Sequence, residues 1–575
     1  MPRPNLVFVL TDDQGYGDLG CHGNPILRTP ELDAFHEVSA RLTNFHVGPI
    51  CAPTRAGLLT GHYPNSTGVW HTIGGRSVLR HDEWTLPQAL GEAGYRTGIF
   101  GKWHLGDAYP YRPQDRGFQV SLVHGGGGIS QTPDYWGNDY FDDTYAANGH
   151  PRACQGYCTD VFFDEALRFM AAHREQPFFC YLATNAPHSP YNVEPAFREP
   201  YDGRVPEARA RFYGMIANLD ANFGRLRRAL AEWGLEENTI LVFMTDNGSS
   251  GGARLDGQGF VTEGYNAGLR GMKGSPYEGG HRVPCFVRWP AGGLRHGRDH
   301  AVLAANVDFM PTMLELCGVD PPAGRSFHGR SLAADLRGEP GAARTLVTDM
   351  QWVSQPVKWR RCAVMTERWR LINGSELYDL MADPGQRHDV AAAEPAVVAE
   401  LQAEYEGWWE LVSARFGEPI PFVLGDQETH LTAHDWRVEV PDCPWSQGEI
   451  RKGKQSNGCW EVEVSRPGRY RFELRRWPSE AARPITAGIE GDDGEWRRDA
   501  IAEADWHHYT GGAALAITRA ELKLGEVAAS TAVAEGEQVA VLTVELPAGP
   551  GQLWTWLSGP EVSLGAYYVS VRREG

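Results

Sequence analysis

Apolar residues in the first half of the chain come in short unbroken runs, each ended by a polar cluster, with helically spaced apolar positions in between. Leu6 to Leu10 is the first run; it reads as a strand buried on both faces and leads directly into Asp12, Asp13, Gly15 and Gly17. The arrangement repeats in T-G-I-F-G-K-W-H (97 to 104), P-F-F-C-Y-L-A-T-N-A-P-H (177 to 188) and N-T-I-L-V-F-M-T-D-N-G (238 to 248), the last delivering Asp246 and Asn247. Over 209 to 234, Phe212, Met215, Ile216, Leu219, Phe223, Leu226 and Leu230 mark one face of a long helix. Strands alternating with helices predict an α/β fold: a mostly parallel central sheet covered on both faces. Ligands of such sheets gather beyond the carboxyl ends of the strands.

The pattern changes near 345. A-V-M-T-E-R-W-R-L-I and E-L-Y-D-L predict a smaller antiparallel sheet, and 391 to 415 an amphipathic helix. Beyond about 430, C-W-E-V-E-V, G-R-Y-R-F-E-L, A-A-L-A-I-T-R-A-E-L-K-L, V-A-V-L-T-V-E-L and A-Y-Y-V-S-V alternate apolar and polar positions between Gly/Pro turns, the pattern of a β-sandwich. The expected organisation is a catalytic α/β domain over 1–345, a small antiparallel sheet plus helix completing it over 346–425, and an accessory β-sandwich over 426–575. Trp445, Trp554 and Trp556 suit either a sugar-stacking patch or the sandwich core, and the core reading is the commoner fate of such residues.

Composition narrows the partners. A net charge of -19 without a basic stripe argues against nucleic acid. Ten Cys in 575 residues is too sparse for a disulfide scaffold, and no run of 18 apolar residues offers a membrane span. Leu6 to Leu10 is too short for a signal h-region, so the sequence as it stands reads as cytoplasmic, or as periplasmic or secreted if an export signal has been removed. No periodicity identifies an oligomer interface, and homo-oligomerisation stays open.

Four oxygen ligands at strand ends, Asp12, Asp13, Asp246 and Asn247, suit a hard divalent cation; either pair alone also suits turn capping. Cys51 is the nucleophile candidate with unusual surroundings: Pro49 and Pro53 fix its backbone, and Arg55 would lower the thiol pKa or clamp an anionic substrate. A lone Cys is more often a small buried hydrophobe.

C-A-P-T-R-A-G-L-L-T-G (51 to 61) and G-K-W-H-L-G (101 to 106) resemble the two sulfatase signatures. V-L-T-D-D-Q-G-Y-G-D resembles that family's first metal-binding segment, and L-R-G-M-K-G-S-P-Y-E-G-G-H-R-V-P (269 to 284) its lysine segment. The resemblance, to the type I sulfatases of the alkaline phosphatase superfamily, runs across roughly the first 415 residues. It implies that Cys51 is oxidised by a formylglycine-generating enzyme reading Cys51, Pro53 and Arg55, giving Cα-formylglycine, whose aldehyde hydrates to a geminal diol. It also implies a metal, usually Ca²⁺ with Mg²⁺ or Mn²⁺ as alternatives, held by Asp12, Asp13, Asp246, Asn247 and a diol oxygen from position 51. Lys102 and His104 then lie on the diol side, His188 and Lys273 on the leaving-group side.

The implied roles follow. One diol oxygen attacks sulfur while the cation, Arg55, Lys102 and Lys273 hold the sulfate oxygens. His188, assisted by Lys273, protonates the leaving alcohol, and His104 takes a proton from the second hydroxyl to expel sulfate. His71 is a further candidate for reaching the substrate, with Arg76, His281 and His328 weaker. The expected substrate is a sulfate monoester of a carbohydrate, with small aryl sulfates, or phosphonate monoesters and phosphodiesters, as alternatives. Selectivity is expected in loops 107 to 160 and 249 to 268. Cys154 and Cys158 suit a disulfide in an exported protein better than a zinc site.

Overall fold

The computed structural model describes residues 3–339, 341–491 and 510–574. A ten-stranded sheet forms its centre, in the order Arg298–His300, Ala40–Leu42, Cys285–Arg288, Thr239–Thr245, Asn5–Thr11, Phe178–Ala183, Arg96–Lys102, Val120–His124, Thr144–Ala147, His150–Ala153. The five strands from Thr239–Thr245 to Val120–His124 are parallel. Every residue of Asn5–Thr11, Phe178–Ala183 and Thr239–Thr245 is buried, which is why they read as continuous apolar runs rather than alternating ones. One face packs Leu6, Phe8 and Leu10 against Phe309, Met310 and Leu58; the other packs Val7 and Val9 against the helices Cys158–Ala172 and Glu207–Glu232.

The segment expected as loop between 107 and 160 contributes three strands, Val120–His124 among them. Thr144–Ala147 and His150–Ala153 form an antiparallel hairpin that extends the main sheet beyond Val120–His124. His150–Ala153 is exposed along its length and lacks the apolar pattern by which a strand is recognised.

Four antiparallel strands, Leu346–Asp349, Cys362–Met365, Trp369–Ile372 and Glu376–Asp379, form the smaller sheet, and the helix Pro395–Ser413 packs Leu401, Tyr405, Trp408 and Val412 onto it. The C-terminal part has two β-sheets, one centred on Gly549–Ser558 and Arg519–Leu524, the other on Tyr568–Glu574 and Gly468–Arg475. Leu522, Leu553 and Leu557 of the first share a core with Tyr470, Phe472 and Val569 of the second. Leu553, Thr555 and Leu557 take the inward positions of their strand, so parity sends Trp554 and Trp556 to the opposite face. Their rings lie 6.3 Å apart at 14°, outside the core where the composition argument placed them. Cys154 and Cys158 are free thiols, and Cys158 is buried beside Thr159.

Candidate active site

The carboxyl ends of the parallel strands converge on one buried cluster. Strand Asn5–Thr11 runs into Asp12, and Asp13 follows at φ 69, a left-handed conformation that Asp tolerates better than most residues. The Asp246 N–H donates to the Thr11 carbonyl at 3.0 Å, and the Asp13 N–H donates to Asp246 Oδ1 at 3.1 Å, tying the ends of neighbouring strands together. Cys51 opens the wholly buried helix Cys51–Thr60, and its Sγ lies 3.3 Å from Asp12 Oδ1 and 3.9 Å from Asp13 Oδ1.

Ligand atoms of Asp12, Asp13, Asp246 and Cys51 lie within 4.8 Å of one another. Asn247 Nδ2 donates to Asp13 Oδ1 at 2.9 Å and to the Gly248 carbonyl at 3.0 Å, while its Oδ1 is buried without a partner. Three carboxylates and an orphaned amide oxygen form the donor set of a hard divalent cation, and the residues fit one.

Lysines balance the acidic cluster. Lys102 Nζ lies 2.6 Å from Asp12 Oδ2 with both side chains fully buried, and Lys273 Nζ lies 2.6 Å and 2.8 Å from the two Asp13 oxygens. Burial would raise the Asp13 pKa, but Lys273 and His188 hold it well below the usual carboxylate range. Asp246 is pushed up to about 6 by burial and by Asp12, against the pull of Arg55.

The Arg55 guanidinium is not free: the cluster itself engages it. Its Nε and Nη2 donate to Asp246 Oδ2 at 3.2 and 2.8 Å, and its Nη1 to the Lys102 carbonyl at 3.1 Å. Nor does its charge activate the thiol: burial and the Asp12 carboxylate push the Cys51 pKa up, so the residue as encoded is a protonated thiol.

The histidines divide by tautomer. His104, at φ 61, donates from Nε2 to the Thr72 carbonyl at 2.9 Å, and its Nδ1 is buried with no partner. Burial and Lys102 keep it neutral, leaving an open lone pair that can accept a proton. His188 Nδ1 lies 2.6 Å from the Ser189 carbonyl and its Nε2 lies 3.7 Å from Asp13 Oδ2; burial lowers its pKa to about 4. Its one proton at neutral pH is therefore engaged with Ser189. Asp13 raises the pKa of Lys273 despite burial, so Lys273 stays a protonated ammonium beside it.

His71 accepts the Thr72 and Ile73 N–H groups at Nδ1, and its Nε2 has no partner. Its ring lies 6.4 Å from that of Trp352, a residue the sequence did not single out. Trp352 is 41% exposed and flanks Gly274, next to Lys273, so an exposed indole borders the cluster. Its signal lay only in the fold, because it follows a short strand of the smaller sheet. Arg76 bonds the Ser354 and Gly74 carbonyls on the same border. His281 lies elsewhere, 2.9 Å from His46 in a network around Glu278 and Arg370, and His328 accepts the Tyr63 N–H.

An acidic cluster that fits a divalent cation, at the strand ends of a parallel sheet and against a helix that begins at Cys51, defines a hydrolase site of the alkaline-phosphatase-like fold. The family model described as "Sulfatase" matches residues 4–319, and that of "N-sulphoglucosamine sulphohydrolase, C-terminal" matches 273–407. The chain belongs to the formylglycine-dependent type I sulfatases, which are sulfuric ester hydrolases. It is 31% identical over 431 residues to arylsulfatase A of Homo sapiens, covering 70% of this chain and 82% of that protein. To arylsulfatase J of Mus musculus it is 29% identical over 462 residues, covering 69% and 74%. Among solved structures it resembles Ps i-CgsB in complex with k-i-k-neocarrahexaose, with TM-score 0.63 and 26% identity over 71% of this chain and 92% of that one. Among the described residues no helix is long and apolar enough to cross a membrane.

Proposed function

We propose that this sulfatase removes sulfate from a saccharide and that Cys51, converted to Cα-formylglycine, is its nucleophile. The observation that carries the assignment is Cys51 Sγ at 3.3 Å from Asp12, inside the cation-binding cluster. As the hydrated aldehyde, position 51 offers two hydroxyls on one carbon, one to attack sulfur and one whose deprotonation releases sulfate and restores the aldehyde. Because Cys51 and its whole helix are buried, a formylglycine-generating enzyme has to reach the Cys51, Pro53, Arg55 segment before the chain folds.

Asp12, Asp13, Asp246 and Asn247 would hold Ca²⁺ or a related divalent ion, which supplies positive charge against the sulfate oxygens and acidifies a bound hydroxyl. Lys102 and Lys273 face the same anion. Lys273 delivers the proton to the leaving oxygen, and His188 orients that side. His104, with its open Nδ1, takes the proton from the second hydroxyl. Arg55 is a positioning residue that orients Asp246. The saccharide reading rests on the exposed Trp352 at the border, suited to stacking on a sugar ring, and on the likeness to Ps i-CgsB solved with a neocarrahexaose.

Peptide mass spectrometry across Cys51 tests this on protein made with a formylglycine-generating enzyme, alongside sulfate release from sulfated oligosaccharides, aryl sulfates and phosphonate and phosphate diesters. A loss of ~18 Da at Cys51 together with preferred turnover of the oligosaccharides is expected. An intact thiol in fully active protein, or faster turnover of the phosphorus esters, overturns the reading.

A further inference from the structure

Between the strands Thr429–Thr432 and Trp460–Val464 of the C-terminal sheets, residues 433–447 bond three loops that border the acidic cluster. The first loop is 71–76. The His434 carbonyl accepts the Gly74 and Gly75 N–H groups at 2.8 and 3.4 Å. Gly75 has φ 67, and a Cβ there would stand 2.7 Å from the Asp435 carbonyl oxygen, so the two backbones are in contact. The same loop carries Thr72, whose carbonyl accepts the Nε2–H of His104 at 2.9 Å.

The second loop is 125–138. Gln447 is wholly buried; its Nε2 donates to the Asp134 and Tyr135 carbonyls at 3.2 Å each, and its Oε1 accepts the Gly137 N–H at 3.1 Å. The Thr132 N–H donates to the Trp445 carbonyl at 3.0 Å. Inside this loop Gln131 Oε1 accepts the Gly127 N–H at 2.7 Å, and Gly127 lies against the His104 ring, where a Cβ would stand 2.3 Å from Cε1. The third loop follows Trp352: Ser354 Oγ donates to Glu439 Oε2 at 2.6 Å and accepts the Val440 N–H at 3.1 Å. His104 is therefore held at Nε2 by one tethered loop and against its ring by another, and its buried Nδ1 stays without a partner.

We propose that the C-terminal part is a working half of the active site: His434 and Gln447 are positioning residues that, through loops 71–76 and 125–138, hold the His104 ring in the orientation that leaves Nδ1 free. The inference rests on the reading of His104 as the group that takes the second hydroxyl's proton. In that step the O–H proton passes to His104 Nδ1, the oxygen's electron pair forms the C=O of the aldehyde, and the C–O bond to sulfate breaks with its pair leaving on sulfate. The preceding attack on sulfur does not call on His104. A displaced ring therefore slows the second step and spares the first, so that sulfate accumulates on residue 51. A role in packing alone would slow both steps together.

The test is rapid mixing of the formylglycine-bearing enzyme with 4-nitrophenyl sulfate, with intact-protein mass spectrometry after a rapid quench. Gln447→Leu removes the bonds to loop 125–138, and Gly75→Ala pushes loop 71–76 off Asp435. Each variant should release about one nitrophenol per chain in a burst, then turn over about tenfold or more slower than the parent, and carry ~80 Da of added sulfate. Gln447→Glu, which keeps the acceptor for Gly137, should return the steady rate to within about threefold of the parent. In the unmodified Cys51 protein, amide exchange should quicken over 71–76 in Gly75→Ala and over 125–138 in Gln447→Leu. His104→Ala should give the same burst and adduct. Burst and steady rate lost together in both clamp variants, or exchange unchanged in both, overturns the proposal. An adduct in His104→Ala but in neither clamp variant also overturns it and leaves the base role of His104 standing. No adduct in His104→Ala overturns that base role, and the proposal with it.

Discussion

Arg55 Nη2 lies 2.8 Å from Asp246 Oδ2, and neither side chain is exposed to solvent. The contact joins the helix that begins with Cys51 to the end of strand Thr239–Thr245, so nucleophile position and cation ligand are oriented by one ion pair. Arg55→Lys keeps the charge but loses the fork that engages Asp246 and the Lys102 carbonyl together. Breaking a buried pair of this kind costs about 3–5 kcal/mol when one partner is removed outright, so the lysine variant should lose roughly 1–3 kcal/mol in urea unfolding. Turnover should fall by about 100-fold and recover in part as free Ca²⁺ is raised; a loss independent of Ca²⁺ would place Arg55 on the substrate instead.

Lys273 and His188 separate by leaving group. Lys273→Ala should slow alkyl and sugar sulfates by about 100-fold or more and nitrophenyl sulfate by only about tenfold, since its leaving oxygen needs no proton and only the contact to the sulfate is lost. His188→Ala should show a flatter dependence, because its proton is bonded to the Ser189 carbonyl. A series of aryl sulfates of graded phenol acidity reads this directly, and a steeper slope for the histidine variant would return the acid role to His188.

Asn247 offers the orphaned oxygen of the cluster, and Asn247→Leu removes it while keeping the volume. The variant should bind Ca²⁺ about tenfold more weakly or worse, read by calorimetry after chelation, and its melting temperature should no longer rise on adding the ion. Calcium affinity equal to the parent protein would exclude Asn247 as a ligand.

Trp352 stands exposed beside His71 and Gly274. Trp352→Ala should raise KM for a sulfated oligosaccharide by about tenfold, with a smaller change in kcat, since stacking that is equal in the ground and transition states is uniform binding. An unchanged KM on every saccharide tested would remove it from the binding surface.

Asp220 on helix Glu207–Glu232 accepts the N–H groups of Leu32 and Glu31 at 2.8 and 3.2 Å, and burial pushes its pKa up to about 7. The folded chain therefore holds a proton there that the unfolded chain gives up near pH 4, and the resulting stability is present at low pH and lost as pH rises through 7. Relative to Asp220→Asn, the parent protein should lose roughly 1–3 kcal/mol between pH 5 and 8 in urea unfolding. A difference constant with pH would show that Asp220 is ionised throughout.

Much of this protein was legible before folding. Asp12, Asp13, Asp246 and Asn247 could be picked out because fully buried parallel strands appear as unbroken apolar runs, and whatever follows such a run sits at the carboxyl edge of the sheet. Cys51, Lys102, His104 and Lys273 stand out because each lies in a short segment whose residues resemble the sulfatase pattern, and His188 because it ends the apolar run 177 to 188. The strand His150–Ala153 and the outward face of Trp554 and Trp556 were not legible, since an exposed edge strand carries no apolar period and a shift of one position reverses every side chain of a strand. The partners of Arg55, the free nitrogen of His104 and the placement of Trp352 at the border were decided only in three dimensions. Each depends on burial and on contacts between segments tens to hundreds of residues apart, and these set where protons sit and which charges remain available to a substrate.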